Sequence, residues 1–373
     1  MSDESTTSDE PLKDLRKNID SIDAELIRLI NERAKHVVQV GEIKRAAGIP
    51  IYAPHRESAV LKKIQSLNEG PILDRTIEAV YRELMSGSFA LEQPLRIGYL
   101  GPVGTYSHLA AVKQFGSSVE FDNLRAIAGV FEEVSRGHVD YGMVPIENST
   151  GGGITETLDA FMSHHDRLNI YGEVQLAVHF SLLANCKPED VKRIYSKGEA
   201  FSQCRNWLAT QYPKAELVPA ESTAIAVMRA KAELESDPQS GVAAIGSIMA
   251  GEIYGLHCLF KKIEDEQANI TRFLILSRSE TEISGEDKTS IMFTTDDRPG
   301  SLVDVLNVFK RNSINLTHID KRPSREVNWD YTFFIDAIGH RKDIQFAEVL
   351  GEARAHCKNL QVLGSYPKCE RVL

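Results

Sequence analysis

The sequence predicts a multidomain chain: an all-α N-terminal segment, a central α/β region of two lobes, and a small C-terminal α+β module. Three observations lead there. Apolar residues recur at steps of three and four from Leu12 to Ile43, with no proline between Pro11 and Pro50. At Gln93-Pro94 the pattern changes to alternating strands, turns and helices. Beyond residue 287 the order becomes βαββαβ over about 85 residues, as in a ferredoxin-like module. A length of 373 residues, at roughly 100–200 per domain, accommodates all three.

The N-terminal stripe consists of Leu12, Leu15, Ile19, Ile22, Leu26, Leu29, Val37, Val40 and Ile43. It defines a helix of up to about 37 residues, roughly 55 Å long at 1.5 Å per residue. Such a helix cannot bury its stripe within one short domain, so it implies an interdigitated homodimer or higher homo-oligomer. Two shorter helices follow, around residues 55–67 and 72–92, separated by Asn68-Glu69-Gly70-Pro71. Arg33 and Lys44 fall on nearly the same face about 16 Å apart, and read either as solvated charges on a long helix or as two cations able to close on one small dianion. Arg16 lies about 26 Å from Arg33 on another face and reaches the same ligand only from an antiparallel partner helix. Residues 1–10, MSDESTTSDE, carry four acids and no base. They read as a disordered acidic tail and not as a secretory leader.

In the central region, strands are expected at Leu95–Leu100, Tyr141–Ile146, a long Val174–Ala184, and short buried Val242–Ile245 and Phe273–Leu276. Helices are expected at His108–Phe115, Ile154–Met162, Ser202–Thr210 and Thr223–Ala232. The order suits one lobe at 95–172 and another at 173–268, with Asn269–Ser277 returning to the first. Gly98-x-x-Gly101-x-x-Gly104 lacks the Gly-x-Gly-x-x-Gly order of a dinucleotide turn, which disfavours a nicotinamide cofactor. Thr105-Tyr106-Ser107, the loop after Glu147-Asn148-Ser149, and Ser222-Thr223 each stand at a helix start. They read either as plain N-caps or as N–H groups gathered around a small anion. Ser279–Asp287 reads as a polar linker, and the last module as Ser290–Thr294, Leu302–Arg311, Leu316–Pro323, Asp330–Ala337, Ile344–His356 and Val362–Tyr366.

The net charge of −10 divides as −4 on the tail, +1 over 11–93, −9 over 94–287 and +2 over 288–373. Without a basic stripe, nucleic acid is a poor partner. No run approaches the ~20 apolar residues of a membrane span. The five cysteines show no metal-type spacing and read as reduced thiols, so no metal and no cofactor are expected, and the location expected is cytoplasmic.

Leu15-Arg16, Ile19-Asp20, Asn31-Glu32-Arg33, Gly41-Glu42-Ile43-Lys44 and Pro54-His55-Arg56-Glu57 resemble the all-helical chorismate mutases. The resemblance implies an intertwined helical dimer over residues 11–93 that rearranges chorismate to prephenate. That step needs a folded dicarboxylate conformer and positive charge beside the breaking ether oxygen. By resemblance, Arg33 and a partner's Arg16 hold carboxylates, Lys44 touches the ether oxygen, Glu57 the ring hydroxyl, and Arg56 supports the site. Ser88 and Glu92 complete it. Ala53 stands where some relatives have Asp, and Glu92 where some have Gln; a glutamate donates to the ether oxygen only when protonated.

GPVGTYSHLA, VPIENSTGGGITETLDAF, AFSQC, STAIA, AAIG and NITRFLIL resemble prephenate dehydratase across residues 95–280. This implies a two-lobed, periplasmic-binding-protein-like domain that removes CO₂ and water from prephenate to give phenylpyruvate. Thr271 is implied as the proton donor. Thr105, Ser107, Glu147, Asn148, Ser149, Ser196, Gln203, Arg272 and Phe273 are implied to bind substrate. Lys197-Gly198 departs from the His-Pro of many relatives.

Gly300-Ser301-Leu302-Val303 and Asp320-Lys321-Arg322-Pro323, with Trp329-Asp330-Tyr331-Thr332-Phe333-Phe334, resemble the ACT regulatory module over residues 288–373. The resemblance implies feedback inhibition by phenylalanine, with Gly300, Ser301, Leu302, Val303, Asp320, Arg322 and Pro323 at the effector site. The two rivals are a catalytically inactive two-lobed amino-acid sensor and a mutase fused to a dehydrogenase. Retention of Lys44, Glu57 and Thr271 argues against the first, and the missing glycine order against the second.

Overall fold

A computed structural model describes residues 9–266, 268–324, 331–369 and 371–373. The first eight residues of the expected tail, together with Trp329 and Asp330, therefore lie outside the described residues, whereas Asp9 and Glu10 belong to the first helix. That helix, α1 (Asp9–Ala47), precedes α2 (Pro54–Ser66) and α3 (Asp74–Glu92). α1 packs on α3 only along its C-terminal part. A Cβ at Gly41 would lie 2.9 Å from Glu92 Cγ, so glycine is what admits α3 so closely. The rest of the α1 stripe stands in solvent, with Leu15 and Ile22 each 60% exposed.

Lobe one of the central domain contains β1 (Arg96–Leu100), α4 (Tyr106–Phe115), β2 (Glu120–Leu124), α5 (Ile127–Arg136) and β3 (Tyr141–Asn148). It continues through the two-residue β4 (Gly152–Gly153), α6 (Thr155–His164) and β5 (Asn169–Ala177). The chain then builds lobe two: β6 (Ser181–Ala184), β7 (Arg193–Ser196), α7 (Gly198–Gln203), α8 (Arg205–Gln211), β8 (Glu216–Pro219), α9 (Thr223–Ser236), β9 (Val242–Gly246), α10 (Ile248–Tyr254) and β10 (His257–Lys261). It returns to lobe one as β11 (Ile270–Ser277). The sheet orders are β2-β1-β3-β11-β5, with β4 on β3, and β10-β6-β9-β7-β8. β11 is antiparallel to both neighbours and sits inside its sheet.

The long strand expected over 174–184 is two strands in different sheets, and lobe one extends to Ala177. Both segments are largely buried, so their apolar residues run on without the punctuation that would mark the crossing. At that crossing Val178 N–H donates to Asn269 O (2.8 Å) and Ile263 N–H to Phe180 O (3.0 Å), pairing the outgoing and returning chains. The helix expected over 202–210 is broken at Cys204, and β2, β7, β8, β10, α5 and α10 join those anticipated.

The C-terminal module has β12 (Asp287–Thr294), α11 (Ser301–Arg311), β13 (Leu316–Pro323), β14 (Tyr331–Ile338), α12 (Ile344–Arg354) and β15 (Asn359–Pro367), in an antiparallel sheet ordered β13-β14-β12-β15. One sheet face packs on α11 and α12 through Ile291, Phe293, Val305, Phe309 and Ile335. The other joins lobe one: Met292, Phe334, Leu363 and Tyr366 share a core with Leu158, Phe161, Ile170 and Leu274. The 279–287 linker is anchored at Thr281, which is buried and donates to Ser365 O, while residues 282–286 are exposed. Finally, Leu373 exchanges backbone hydrogen bonds with Gln175 and Ala177, so the C-terminus adds to the edge of lobe one (2.8 and 3.0 Å).

The shared core generates a prediction. Phe161, 1% exposed and edge-on to Phe131 at 4.9 Å, belongs to the core that unites lobe one and the module. Phe161→Ala should cost about 3–5 kcal/mol. Hydrogen-exchange protection should fall together in β11 and β12. Loss in lobe one alone, with β12 unchanged, contradicts a common core.

Candidate active sites

The first site is a cavity of about 650 Å³ between α1, the 49–56 segment and α3. Arg33, Lys44, Arg56, Glu57, Ser88 and Glu92 all line it. Arg33 Nη1 donates to Ser88 Oγ (3.0 Å), whose own proton goes to Leu84 O (2.7 Å). Lys44 Nζ donates to Ile51 O (2.8 Å) and Glu92 Oε2 (3.2 Å), which holds the ammonium at the cavity wall. Glu57 is buried and receives Arg82 Nη1 on Oε1 (3.0 Å) and Gln114 Nε2 on Oε2 (3.1 Å). Burial pushes its carboxyl up, against the pull of Arg82, Tyr52 and Gln114 toward the ionised form. Arg16 is exposed on α1, outside this cavity. Arg82 was not anticipated; its signal was a buried-face arginine one turn after Glu78, with which it pairs at 2.9 Å.

The second constellation lies where the lobes meet. Asn148, at the end of β3, donates through Nδ2 to Asn269 Oδ1 (2.7 Å) and to Thr271 Oγ1 (2.8 Å). Its Oδ1 accepts from Thr150 N (3.1 Å), Thr150 Oγ1 (2.7 Å) and Gly151 N (2.9 Å). Gln203, on α7 of the other lobe, donates to Thr150 Oγ1 (2.6 Å) and accepts from Asn269 Nδ2 (2.8 Å). Asn148, Asn269, Gln203 and Thr150 thus form a closed ring of hydrogen bonds that bridges the lobes beside Thr271. Because Thr271 Oγ1 accepts from Asn148, its own proton is left to be donated. Ser149 ties the same loop to the returning chain, donating to Ala268 O (2.8 Å) and accepting from Ile270 N (2.9 Å). Thr150 and Asn269 were not singled out from sequence, although both stand in segments that were.

The other expected residues divide. Thr105 caps α4, accepting from His108 N (3.3 Å), and Ser107 is buried in its first turn. The turn before it is fastened to lobe two, because Ser247 Oγ donates to Gly104 O (3.1 Å) and Tyr254 OH to Val103 O (2.8 Å). Ser222 likewise caps α9. Ser196 is fully buried and donates to Ile245 O (3.0 Å), holding β7 to β9.

Arg272, Phe273 and Glu147, which the resemblance implies bind substrate, have their contacts elsewhere than in the ring. Strand alternation puts Thr271 and Arg272 on opposite faces of β11. Arg272 points into the C-terminal module, with Glu173 at 2.7 Å, Asp336 at 2.7 Å and Tyr366 OH at 2.9 Å. Glu173 also receives Lys288 Nζ (2.9 Å). Phe273 is 1% exposed in the aromatic core with Tyr99, Tyr141 and Tyr171. Glu147 faces His318 Nδ1 at 3.4 Å.

In the C-terminal module, Gly300 adopts φ +86°, a left-handed conformation suited to glycine, and opens α11. Ser301 is buried, its hydroxyl donating to Arg298 O (3.0 Å), Leu302 packs against the module core, and Val303 is 55% exposed. The register pairs Arg322 with Thr332 and Thr332 with Thr294. The β12 exit toward Gly300 and the end of β13, with exposed Pro323, therefore share one end of the sheet. Arg322 makes two bonds to Asp159 on α6 (2.7 and 2.8 Å). Asp320 abuts Gly153, where any Cβ would collide with its carboxylate.

Comparison with known proteins agrees with this division. Family models match for chorismate mutase type II over residues 15–93, prephenate dehydratase over 97–281 and the ACT domain over 289–354. A bifunctional chorismate mutase/prephenate dehydratase of Stutzerimonas stutzeri is 44% identical over 96% of this chain and 98% of its own. A prephenate dehydratase from Arthrobacter aurescens, solved with L-Phe, superposes with a TM-score of 0.67 at 33% identity, covering 74% of this chain and 90% of that one. The prephenate dehydratase of Staphylococcus aureus superposes with a TM-score of 0.62 at 28% identity, over 73% of this chain and all of that one. With both catalytic regions and the regulatory module in order along nearly the whole length, the chain belongs to the bifunctional chorismate mutase/prephenate dehydratase family.

Proposed function

We propose that the protein converts chorismate to prephenate in the α1–α3 cavity and prephenate to phenylpyruvate, CO₂ and water between the lobes, under inhibition by phenylalanine. The observation that carries this is the pairing of two sites of different chemistry in one chain: a cation-lined cavity, and a hydroxyl held beside a ring of amides.

The first reaction asks for no proton transfer. Arg33 and Lys44, fixed by Ser88 and by Ile51 O with Glu92, offer charge to the carboxylates and the developing ether oxygenate. Glu57 accepts from the ring hydroxyl and Arg56 supports the wall. In the second reaction, carboxylate loss and hydroxide departure aromatise the ring, and Thr271 supplies the proton that lets hydroxide leave as water. Asn148, Ser149 and Gln203 orient the substrate, with Thr105 and Ser107 at a helix start that favours a carboxylate. Supplied with chorismate and no cofactor, the enzyme should release phenylpyruvate. Thr271→Ala should accumulate prephenate instead, its dehydratase kcat lower by about 10²–10⁴-fold. Normal turnover by this variant removes Thr271 from the mechanism.

The exposed α1 stripe and the distance of Arg16 both favour a second copy of this chain lying antiparallel along α1, so that each cavity receives the partner's arginine. Arg16→Ala and Lys44→Ala should each abolish most mutase activity. Mixed and refolded together, they should regain it in the hybrid dimer, where one cavity has its own Lys44 and an intact arginine from the other copy. No recovery on mixing contradicts the shared site.

Phenylalanine regulation is supported by where the Gly300 turn and β13 sit. Asp320 and Arg322 touch Gly153 and Asp159, next to the loop that carries Asn148 and Thr150, so effector binding that shifts β13 changes the dehydratase cleft. Millimolar phenylalanine should lower the dehydratase rate, and Arg322→Ala should blunt that response. Equal rates with and without the amino acid contradict it.

A further inference from the structure

The wall of the mutase cavity includes Tyr171, Glu280 and Glu282 from beyond the helical domain. Ile51 and Tyr52, on the segment leading into α2, belong to the core of lobe one together with Tyr99, Phe115, Tyr141 and Tyr171. Tyr52 is 1% exposed. Its ring contacts Phe115 at 5.0 Å and Tyr141 at 5.2 Å, and its carbonyl accepts from Tyr171 OH (2.8 Å). Five residues on comes Glu57. From α4 of the dehydratase domain, Gln114 Nε2 reaches both Tyr52 OH (3.1 Å) and Glu57 Oε2 (3.1 Å). Gln114 O meanwhile accepts from Arg82 Nη1 (3.1 Å), the same nitrogen that serves Glu57 Oε1.

We propose that Gln114 is a positioning residue of the mutase, fixing the Glu57 carboxylate toward the substrate's ring hydroxyl from the neighbouring domain. This rests on the reading of the α1–α3 cavity as the mutase site. A buried carboxylate with four lone-pair sites needs most of them satisfied to keep one orientation and its charge. Arg82 serves one oxygen and Gln114 the other, and the Tyr52 hydroxyl is hydrogen-bonded to the carboxylate as well, which leaves one lone-pair site for a substrate hydroxyl. Glu78 on α3 also pairs with Arg82 (2.9 Å), so the guanidinium is held by two carboxylates. The mutase therefore depends on a residue that its own helices do not contain.

The test uses full-length Gln114→Met and Gln114→Glu. Loss of a hydrogen bond to a charged group predicts a rise in the chorismate KM of about ten- to a hundred-fold in Gln114→Met. Its kcat should change little, because an interaction made alike in ground and transition states is lost. Turnover of prephenate added directly should match wild type. Gln114→Glu sets two carboxylates face to face, so its mutase activity should be poorest at pH 8. Activity should recover toward pH 5, where a proton shared between the two carboxyl groups restores the donor that the amide had supplied. An unchanged KM in Gln114→Met, or a pH profile of Gln114→Glu parallel to wild type, overturns the proposal. If Gln114→Met loses prephenate turnover through misfolding, the pH profile of Gln114→Glu alone decides. Absence of mutase activity in the wild type would instead defeat the site assignment.

Discussion

The alternation of side chains along β11 is the constraint on which the rest of the structure depends. The strand returns from lobe two into the middle of the lobe-one sheet, antiparallel to β3 and β5. One face carries the Thr271 hydroxyl toward the meeting of the lobes and Phe273 into the aromatic core. The other carries Arg272 into a buried cluster with Glu173, Asp336 and Tyr366. Breaking one partner of such a cluster leaves an uncompensated buried charge, which costs far more than a surface pair. One strand thereby joins the proposed proton donor to the regulatory module through the peptide bond between adjacent residues.

The three domains are consequently less separable than three family matches suggest. Tyr52 of the helical domain is a core residue of lobe one, the β12–β15 sheet lends its second face to the same lobe, and the C-terminal residues lengthen its edge. The helical domain keeps one large surface unsatisfied, the α1 stripe, and its apolar exposure suits a second copy. Charge follows the same division. The −9 falls on residues 94–287, whose lobes meet through amides and hydroxyls, while the α1–α3 cavity gathers Arg33, Lys44 and Arg56.

Much of this was legible in the sequence. The long helix could be read because its apolar period is unbroken, and the mutase cations because helical geometry fixes which residues share a face. Asn148, Gln203 and Thr271 could be named because short motifs carry them. What was not legible has a physical reason in each case. The motif Asn269-Ile270-Thr271-Arg272-Phe273 does not say that Arg272 takes the opposite face of the strand, nor how deep Phe273, on the face of Thr271, lies in the aromatic core. The crossing at 178–180 is hidden because the residues on either side are similarly apolar and buried. The bonds from Gln114 to Glu57 and from Arg322 to Asp159 join residues 57 and 163 positions apart, and only the packed domains reveal them.

The proposed regulation runs from β13 through the contacts of Asp320 and Arg322 with Gly153 and Asp159 to the dehydratase cleft. Amide hydrogen exchange of the full-length enzyme, with and without saturating phenylalanine, tests it most directly. The account predicts that altered protection in β13 is accompanied by altered protection in the 148–153 loop and at the start of β11. Change confined to residues 288–373, while the dehydratase rate falls, would contradict it.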